Sequence, residues 1–338
     1  MTYTWPVILG RLLSGQSLSK DQAAWAMSQI MAGEATPAQF GAFVGGLRLK
    51  GETVEEIVGL VETMRANSLK VEVGAPVVDT CGTGGDRAGT INVSTLAALV
   101  VAGAGAKVAK HGNRAASSRC GSADLLEELG VRIDLGPEGV RACIEGAGIG
   151  FCFAPVFHPS MRHAGPLRKE LGVPTVFNFL GPLTNPAGAA YQAMGVSDRA
   201  MAPRMVEVLQ RLGSEHCLVF RGLDGLDEIS TTQPSDLWEL KDGQVTHEVI
   251  DPADFGIPRS DASDLRGGSA ADNAKVAHTV FDGTPGPARD LVLVNAAAGL
   301  IAGQMAGDFV TGVELAEESI DSGRALSALD RLIEISNS

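Results

Sequence analysis

Two hydrophobic periods divide the chain. Over residues 1–70 apolar positions recur at helical spacing, as in Phe40, Phe43, Val44 and Leu47, and again in Ile57, Leu60, Val61 and Met64. Positions three and four apart share one helix face, so each set predicts a buried stripe. Three hydroxyl residues are each followed, three positions on, by Gln or Glu: Ser19 and Gln22, Thr36 and Gln39, Thr53 and Glu56. That is the capping-box pattern, in which the hydroxyl takes an orphan amide and the longer side chain reaches back. A helical unit this small has a marginal core of its own, so its stripes are expected to dock on the rest of the chain.

From Val71 the texture changes. Short β-branched runs alternate with helical stretches. The pattern predicts strands over 76–79, 106–110, 148–153, 190–196 and 216–221, and helices over 93–104, 123–129, 137–145 and 200–212. Such alternation implies a mostly parallel sheet covered by helices. Runs over 237–240 and 244–249 flank Lys241-Asp242-Gly243, a hairpin signal. The last hundred residues are predicted mainly helical, over 272–280, 289–302 and 312–335. The fold class expected is therefore α/β: a small N-terminal helical domain over 1–70, completed by part of 165–186, and a large α/β domain over 71–338 with a mostly parallel central sheet. Residues 173–186 (VPTVFNFLGPLTNP) read as a crossing segment between the two.

Composition narrows the function. Of 338 residues 45% are hydrophobic and 20% charged, an ordinary globular mix. Aromatics are 5% while Gly reaches 42 residues, which suits tight turns around a polar ligand better than base-stacking platforms. The net charge of −13 argues against nucleic acid or an anionic membrane as partner. Five scattered Cys without a CxxC spacing read as reduced thiols of a cytoplasmic protein. The start MTYTWPVILGRLL does not read as a signal peptide, and no apolar run is long enough to span a bilayer.

The acids are unevenly spread. Residues 87–123 contain none, but hold Arg87, Lys107, Lys110, Arg114 and Arg119; residues 146–169 contain none, but hold Arg162, Arg168 and Lys169. Two such windows in an acidic chain predict a walled anion site, against the plainer alternative of solvated surface cations. Three polar turns lie in or beside the first window. Asp79-Thr80-Cys81-Gly82-Thr83-Gly84-Gly85-Asp86 follows a predicted strand, and its glycines let backbone amides close on phosphate. Its spacing is neither that of a dinucleotide fingerprint nor of a P-loop. Asn92-Val93-Ser94-Thr95 opens an apolar helix, either as a plain N-cap or as a phosphate seat at the helix terminus, where a serine hydroxyl can also ligate Mg²⁺. Lys110-His111-Gly112-Asn113-Arg114-Ala115-Ala116-Ser117-Ser118 places two cations, an imidazole, an amide and two hydroxyls at a strand exit, which packing alone does not require. Farther on, Asp224-Gly225-Leu226-Asp227-Glu228 offers hard carboxylates to Mg²⁺, or is a solvated acidic loop. Cys81 reads as a small buried residue rather than a nucleophile, and His158 and His163 lack a zinc spacing.

Together DTCGTGGD, NVST, KHGNRAASS, FNFLGPLTNP and GLDEIS, in this order, resemble the anthranilate phosphoribosyltransferase family, over nearly the whole chain. The resemblance implies a helical domain hinged to an α/β domain of the nucleoside phosphorylase/phosphoribosyltransferase class, a homodimer, and transfer of the phosphoribosyl group of phosphoribosyl diphosphate (PRPP) to the amine of anthranilate, with Mg²⁺, in tryptophan biosynthesis. By matching position it assigns PRPP to Gly82, Gly85, Asp86, Thr90, Asn92, Val93, Ser94, Thr95, Lys110, His111, Gly112, Asn113, Arg114, Ala115, Ala116, Ser117, Ser118 and Ser122. It assigns Mg²⁺ to Ser94, Asp227 and Glu228, and anthranilate to Gly82, Asn113, His158 and Arg168, with His111 lining its path. No dedicated acid or base is implied; Lys110, His111 and Asn113 would position the reactants. An aryl amine is already unprotonated at neutral pH, which suits a chain lacking an obvious catalytic dyad. Two rivals are weighed beside this one. A pyrimidine-nucleoside phosphorylase would carry a different lysine motif and a further C-terminal domain, for which a chain ending at Ser338 leaves no room. A non-catalytic nucleic-acid binder would need an exposed basic face.

Overall fold

The computed structural model describes residues 3–115 and 119–338. Four helices come first: α1 (Trp5–Leu13), α2 (Lys20–Ala32), α3 (Pro37–Lys50) and α4 (Val54–Ala66). The three capping boxes form as expected at Ser19, Thr36 and Thr53. Glu56 does more than cap. Fully buried, it accepts the Leu18 amide at 2.8 Å and the Thr53 amide at 2.8 Å, and pairs with Lys50 at 2.9 Å. A buried carboxylate needs that full set of partners.

The α/β part runs β1 (Val78–Gly82), α5 (Val93–Gly103), β2 (Val108–Gly112), α6 (Ser122–Glu128), α7 (Pro137–Ala147), β3 (Ile149–Phe153), α8 (Ala154–Phe157), α9 (Gly165–Leu171), α10 (Phe177–Leu180), β4 (Tyr191–Gly195), α11 (Ala202–Arg211), β5 (His216–Gly222), β6 (Ser235–Lys241) and β7 (Gln244–Ile250). Four helices close the chain: α12 (Ala270–Phe281), α13 (Pro287–Ala302), α14 (Phe309–Asp321) and α15 (Arg324–Ser336). The continuous helix expected over 312–335 is thus two. Gly323 lies at φ 75°, a left-handed turn that ends one helix and opens the next.

The sheet has strand order β3-β2-β1-β4-β5-β6-β7. Pairs from β3 to β5 are parallel, and β6 and β7 are antiparallel. The hairpin turn falls at Asp242 and Gly243, both at positive φ (51° and 73°), the conformation that a two-residue turn between twisted strands prefers. Alternate residues of each strand feed opposite cores. Ala193, Leu218 and Phe220 face one cluster with α5 and α12–α15, while Met194, Cys217 and Val219 face the other. The second cluster runs without a break through Met205 and Leu209 of α11, Phe177, Leu180 and Leu183 of the crossing segment, and Phe40, Phe43, Leu47 and Leu60 of the helical unit. The expected docking of the helical stripes is therefore onto residues of 164–183 and the α11 side of the sheet. Among the described residues, no helix is long and apolar enough to cross a membrane.

Candidate active site

In an open parallel sheet, ligands sit beyond the carboxyl ends of the strands where the order reverses. Here that point lies between β1 and β4, and both strands end in glycine, Gly82 and Gly195. Neither glycine can be replaced without movement. A Cβ on Gly82 would come 2.5 Å from Asp227 Oδ2, and one on Gly195 would come 1.6 Å from the Asp227 carbonyl oxygen. The 79–86 turn is laced to the next strand: the Thr83 amide donates to Gly195 O at 3.0 Å, and Ser197 Oγ donates to Gly84 O at 2.8 Å. The Gly84 amide donates to Asp227 Oδ2 at 2.6 Å. Gly84 and Gly85, at φ 65° and 86°, give the turn its left-handed steps.

Helix α5 starts against this turn. Its first turn is not capped by the Asn92 side chain, as a plain N-cap would be. The amide of Ser94 instead donates to the carboxylate of Glu228, from a distant loop. The Asn92 side chain is engaged elsewhere, with Cys120 O at 3.0 Å and Asn273 at 2.7 Å. Val93 and Thr95 are buried behind it, and Thr90 forms an isolated bridge with Arg266. Beneath lies Lys110, 2% exposed, whose Nζ donates to Thr80 O at 2.6 Å and to Ser94 Oγ at 3.3 Å. Burial lowers its affinity for its proton, and the nearby carboxylates of Asp79 and Glu228 oppose that.

Asp227 and Glu228 are buried together. Burial raises both above the usual carboxylate range, and the charges of Asp86 on both and of Asp227 on Glu228 add to it. Two acids held in this state form a site that gains from a cation. Among the described residues no group of three His, Cys, Asp or Glu is arranged to hold a metal by itself. Mg²⁺ does not need one: it takes one or two carboxylates and completes its shell with water and phosphate. Ser94, Asp227 and Glu228 are the right donors for that role.

The β2 exit is shaped by close approach as well. A Cβ on Gly112 would meet Ser122 Oγ at 2.2 Å, and one on Gly121 would meet the Ala115 amide at 2.4 Å. Asn113 O accepts the Ala123 amide at 3.2 Å and Ser122 Oγ at 3.2 Å, while Asp124 accepts the Ala115 and Gly121 amides. Ala116, Ser117 and Ser118 lie outside the described residues. The positive window is weaker than its sequence count. Arg114 turns outward to Asp124 and Glu127, at 3.0 and 2.8 Å, and is held charged by them, Glu127 first. Lys107 donates to the carbonyls of Ile144 and Glu145 at the end of α7. Both cations answer groups just beyond or across from the window, which a count along the chain does not see.

On the other side of the cleft His111 Nδ1 contacts Gly181 O at 3.1 Å, and its Nε2 is buried without a partner among the described residues. The ring of His158 stands 5.2 Å away, centroid to centroid. Burial lowers His111 to about 3 and His158 to about 4, so both rings are neutral at pH 7. Arg168, on α9, lies 5.6 Å over the ring of Phe177, on the segment that also carries Gly181. It is largely desolvated and pairs with no acid among the described residues. An unpaired, half-buried guanidinium is a receptor for a carboxylate. Cys81 is buried, with its thiol pushed well up by burial and by Asp79, which suits a packing residue and not a nucleophile. Cavities of about 690 Å³ between α4 and α11 and about 380 Å³ beside α15 lie away from these turns, though Arg114 borders the second.

Comparison with known proteins decides the family. A model of the glycosyl transferase family helical bundle domain matches residues 6–68, and one of its a/b domain matches residues 74–326. An anthranilate phosphoribosyltransferase of Arthrobacter sp. (strain FB24) is 53% identical over 98% of this chain and 95% of its own. The chain belongs to the anthranilate phosphoribosyltransferase family. Anthranilate phosphoribosyltransferase of Salinispora arenicola is also 53% identical, over 99% of this chain and 97% of its own. The crystal structure of the Thermus thermophilus enzyme superposes with a TM-score of 0.93 at 42% identity, covering 98% of this chain and 99% of that one. Anthranilate phosphoribosyltransferase from Saccharomyces cerevisiae, in complex with PRPP and Mg, superposes with a TM-score of 0.90 at 29% identity, each chain covered to 98%. The chain is thus a pentosyl-transferring enzyme, and the non-catalytic and nucleoside phosphorylase readings fall away.

Proposed function

We propose that this chain binds PRPP across the 79–86 and 110–122 turns and transfers its phosphoribosyl group to the amine of anthranilate, releasing diphosphate. The observation that carries the reading is the meeting, at the carboxyl end of the sheet, of groups from three strands: the β1–α5 connection with its glycine turn, Lys110 of β2, and the buried Asp227–Glu228 pair that follows β5. Main-chain amides and the positive end of α5 supply donors for phosphate, and Lys110 supplies a fixed cation. Ser94, Asp227 and Glu228 would hold Mg²⁺, which when bound neutralises charge on the departing diphosphate.

Anthranilate would enter from the Arg168 side. Arg168 pairs with its carboxylate through two parallel hydrogen bonds, and neutral His158 and His111 wall the ring. The amine then faces the anomeric carbon from the side opposite the diphosphate. The C–N bond forms there as the C–O bond breaks, the electron pair leaves with diphosphate, and one amine proton is released. The configuration at that carbon inverts. No side chain need remove a proton beforehand, so catalysis rests on orientation and fixed charge. Closure of the helical unit, 1–70 with part of 165–186, over the sheet edge would exclude water. A homodimer is the expected assembly, with exposed Leu13 of α1 (75%) and Leu49 of α3 (90%) on the helical unit as the apolar surface a second copy would cover. The buried free thiols of Cys81, Cys143, Cys152 and Cys217 suit a reducing cytoplasm. The test follows the fluorescence of anthranilate with purified protein. It should fall only when both PRPP and Mg²⁺ are present; loss without PRPP, or none with both, rejects the reading.

A further inference from the structure

We propose that Asn273, a residue outside every substrate-binding turn, is a positioning residue that holds the two PRPP turns in register with each other. The inference rests on the donor-substrate reading above and goes beyond it. Asn273 lies in the first turns of α12 and is 2% exposed. Its Nδ2 donates to Asn92 Oδ1 at 2.7 Å, and its Oδ1 accepts the Gly268 amide at 2.7 Å. Asn92 in turn donates from Nδ2 to Cys120 O at 3.0 Å. The Cys120 thiol also reaches the Asn273 side chain. One buried amide therefore ties the start of α5, which follows β1, to the end of the turn that follows β2.

A backbone seam runs beside this tie. The Gly267 amide donates to Gly89 O at 2.8 Å, the Ile91 amide donates to Leu265 O at 3.1 Å, and Thr90 bridges to Arg266. Gly267 is required for the approach: a Cβ there would lie 2.7 Å from Thr90 O and 2.9 Å from Asn273 Oδ1. The capping box of Ser269 and Asp272 fixes the start of α12 and so the direction of the Asn273 side chain.

The physical purpose follows from the glycines. Loops rich in glycine and small residues lose much freedom when they close on a ligand, and that cost weakens binding. A clamp that orders both loops before the ligand arrives removes part of it. Both ends of the Asn92 side-chain amide take part in the clamp.

Asn273→Asp tests this in the full chain. It keeps the side-chain size and the acceptor for Gly268 but sets an oxygen against Asn92 Oδ1. The KM for PRPP should rise about tenfold, the loss expected when a buried hydrogen bond is replaced by two facing acceptors. The KM for anthranilate should hold within about twofold, as for a site remote from the change. Calorimetric binding of PRPP with Mg²⁺ should weaken in parallel. Gly267→Ala, which opens the same seam from the backbone, should give the same split. Unchanged PRPP affinity with a lowered melting temperature, or equal rises in both KM values, overturns the proposal. Should Asn273→Asp not fold, Asn273→Ser and Gly267→Ala carry the comparison; if none of the three folds, the residue serves the fold alone and the proposal is overturned. A wild-type chain that binds PRPP yet does not consume anthranilate would defeat the functional reading while leaving the clamp to be judged on PRPP binding.

Discussion

Acid should loosen this protein through its buried histidine pair, and the size of the effect follows from the structure. His111 and His158 are 6% and 3% exposed, and burial lowers them from 6.5 to about 3 and about 4. In the unfolded chain both take a proton near pH 6.5, while the folded chain keeps them neutral. The unfolded state then binds more protons below pH 6.5, so this contribution to stability is complete above that pH and is lost as the pH falls toward 4. Between pH 7.5 and 5.5 one such ring loses about 1.3 kcal/mol, at 1.36 kcal/mol per pH unit over the roughly one unit below its unfolded value. Equilibrium urea denaturation of wild type and His158→Asn at both pH values isolates the term, because groups remote from His158 cancel in the difference and His111, at about 3 and held there mainly by burial, stays neutral over this range. The wild type should lose about 1.3 kcal/mol more than the variant. Equal losses would mean that His158 is solvated or already charged in the folded chain, and would refute the neutral wall assigned to it.

Gly82→Ala should displace the Asp227 side chain, since the new Cβ falls 2.5 Å from Oδ2, and break the Gly84 contact; Gly84→Ala meets open space and adds only left-handed strain of about 1–2 kcal/mol. Turnover should therefore fall far more in the first than in the second, as compared by kcat at saturating Mg²⁺. Arg168→Ala should raise the KM for anthranilate about ten- to hundredfold, the worth of a charged hydrogen-bonded pair, and leave that for PRPP near its starting value; equal effects on both would remove Arg168 from the carboxylate site. Asp227→Asn combined with Glu228→Gln should abolish Mg²⁺-dependent turnover, and without Mg²⁺ its melting temperature should equal or exceed that of the wild type, because two buried carboxyl groups whose charged forms burial disfavours become neutral amides. Product analysis by NMR should show inverted configuration at the anomeric carbon; retention would rule out in-line attack.

Local rules carried most of the fold. The capping boxes at Ser19, Thr36 and Thr53 and the Asp242-Gly243 turn are short-range devices, and each formed where its residues stand. Strand positions were legible to within about three residues, as at 76–79 against Val78–Gly82, because apolar runs mark a buried strand better than its ends. The break at Gly323 was overrun because apolar spacing continues across it in α14 and α15. For the site, the glycine and lysine turns announced themselves by composition. What stayed hidden depends on contacts between distant segments: Glu228 capping α5, Gly195 yielding space to Asp227, Arg114 drawn to Glu127, and Asn273 reaching Asn92 across 181 positions. Asn273 carries a faint signal, a Gly267-Gly268 pair just before a capping box, but nothing in one chain says which loop that pair approaches.

The central claim is that a sugar diphosphate sits at the carboxyl ends of β1 and β2. A crystal soaked with PRPP and Mg²⁺ tests it most directly. The account predicts diphosphate oxygens against the amides of Gly82 to Asp86 and the hydroxyl of Ser94, with the cation between them and the Asp227–Glu228 pair. Ligand density elsewhere, with those turns facing only solvent, would contradict it.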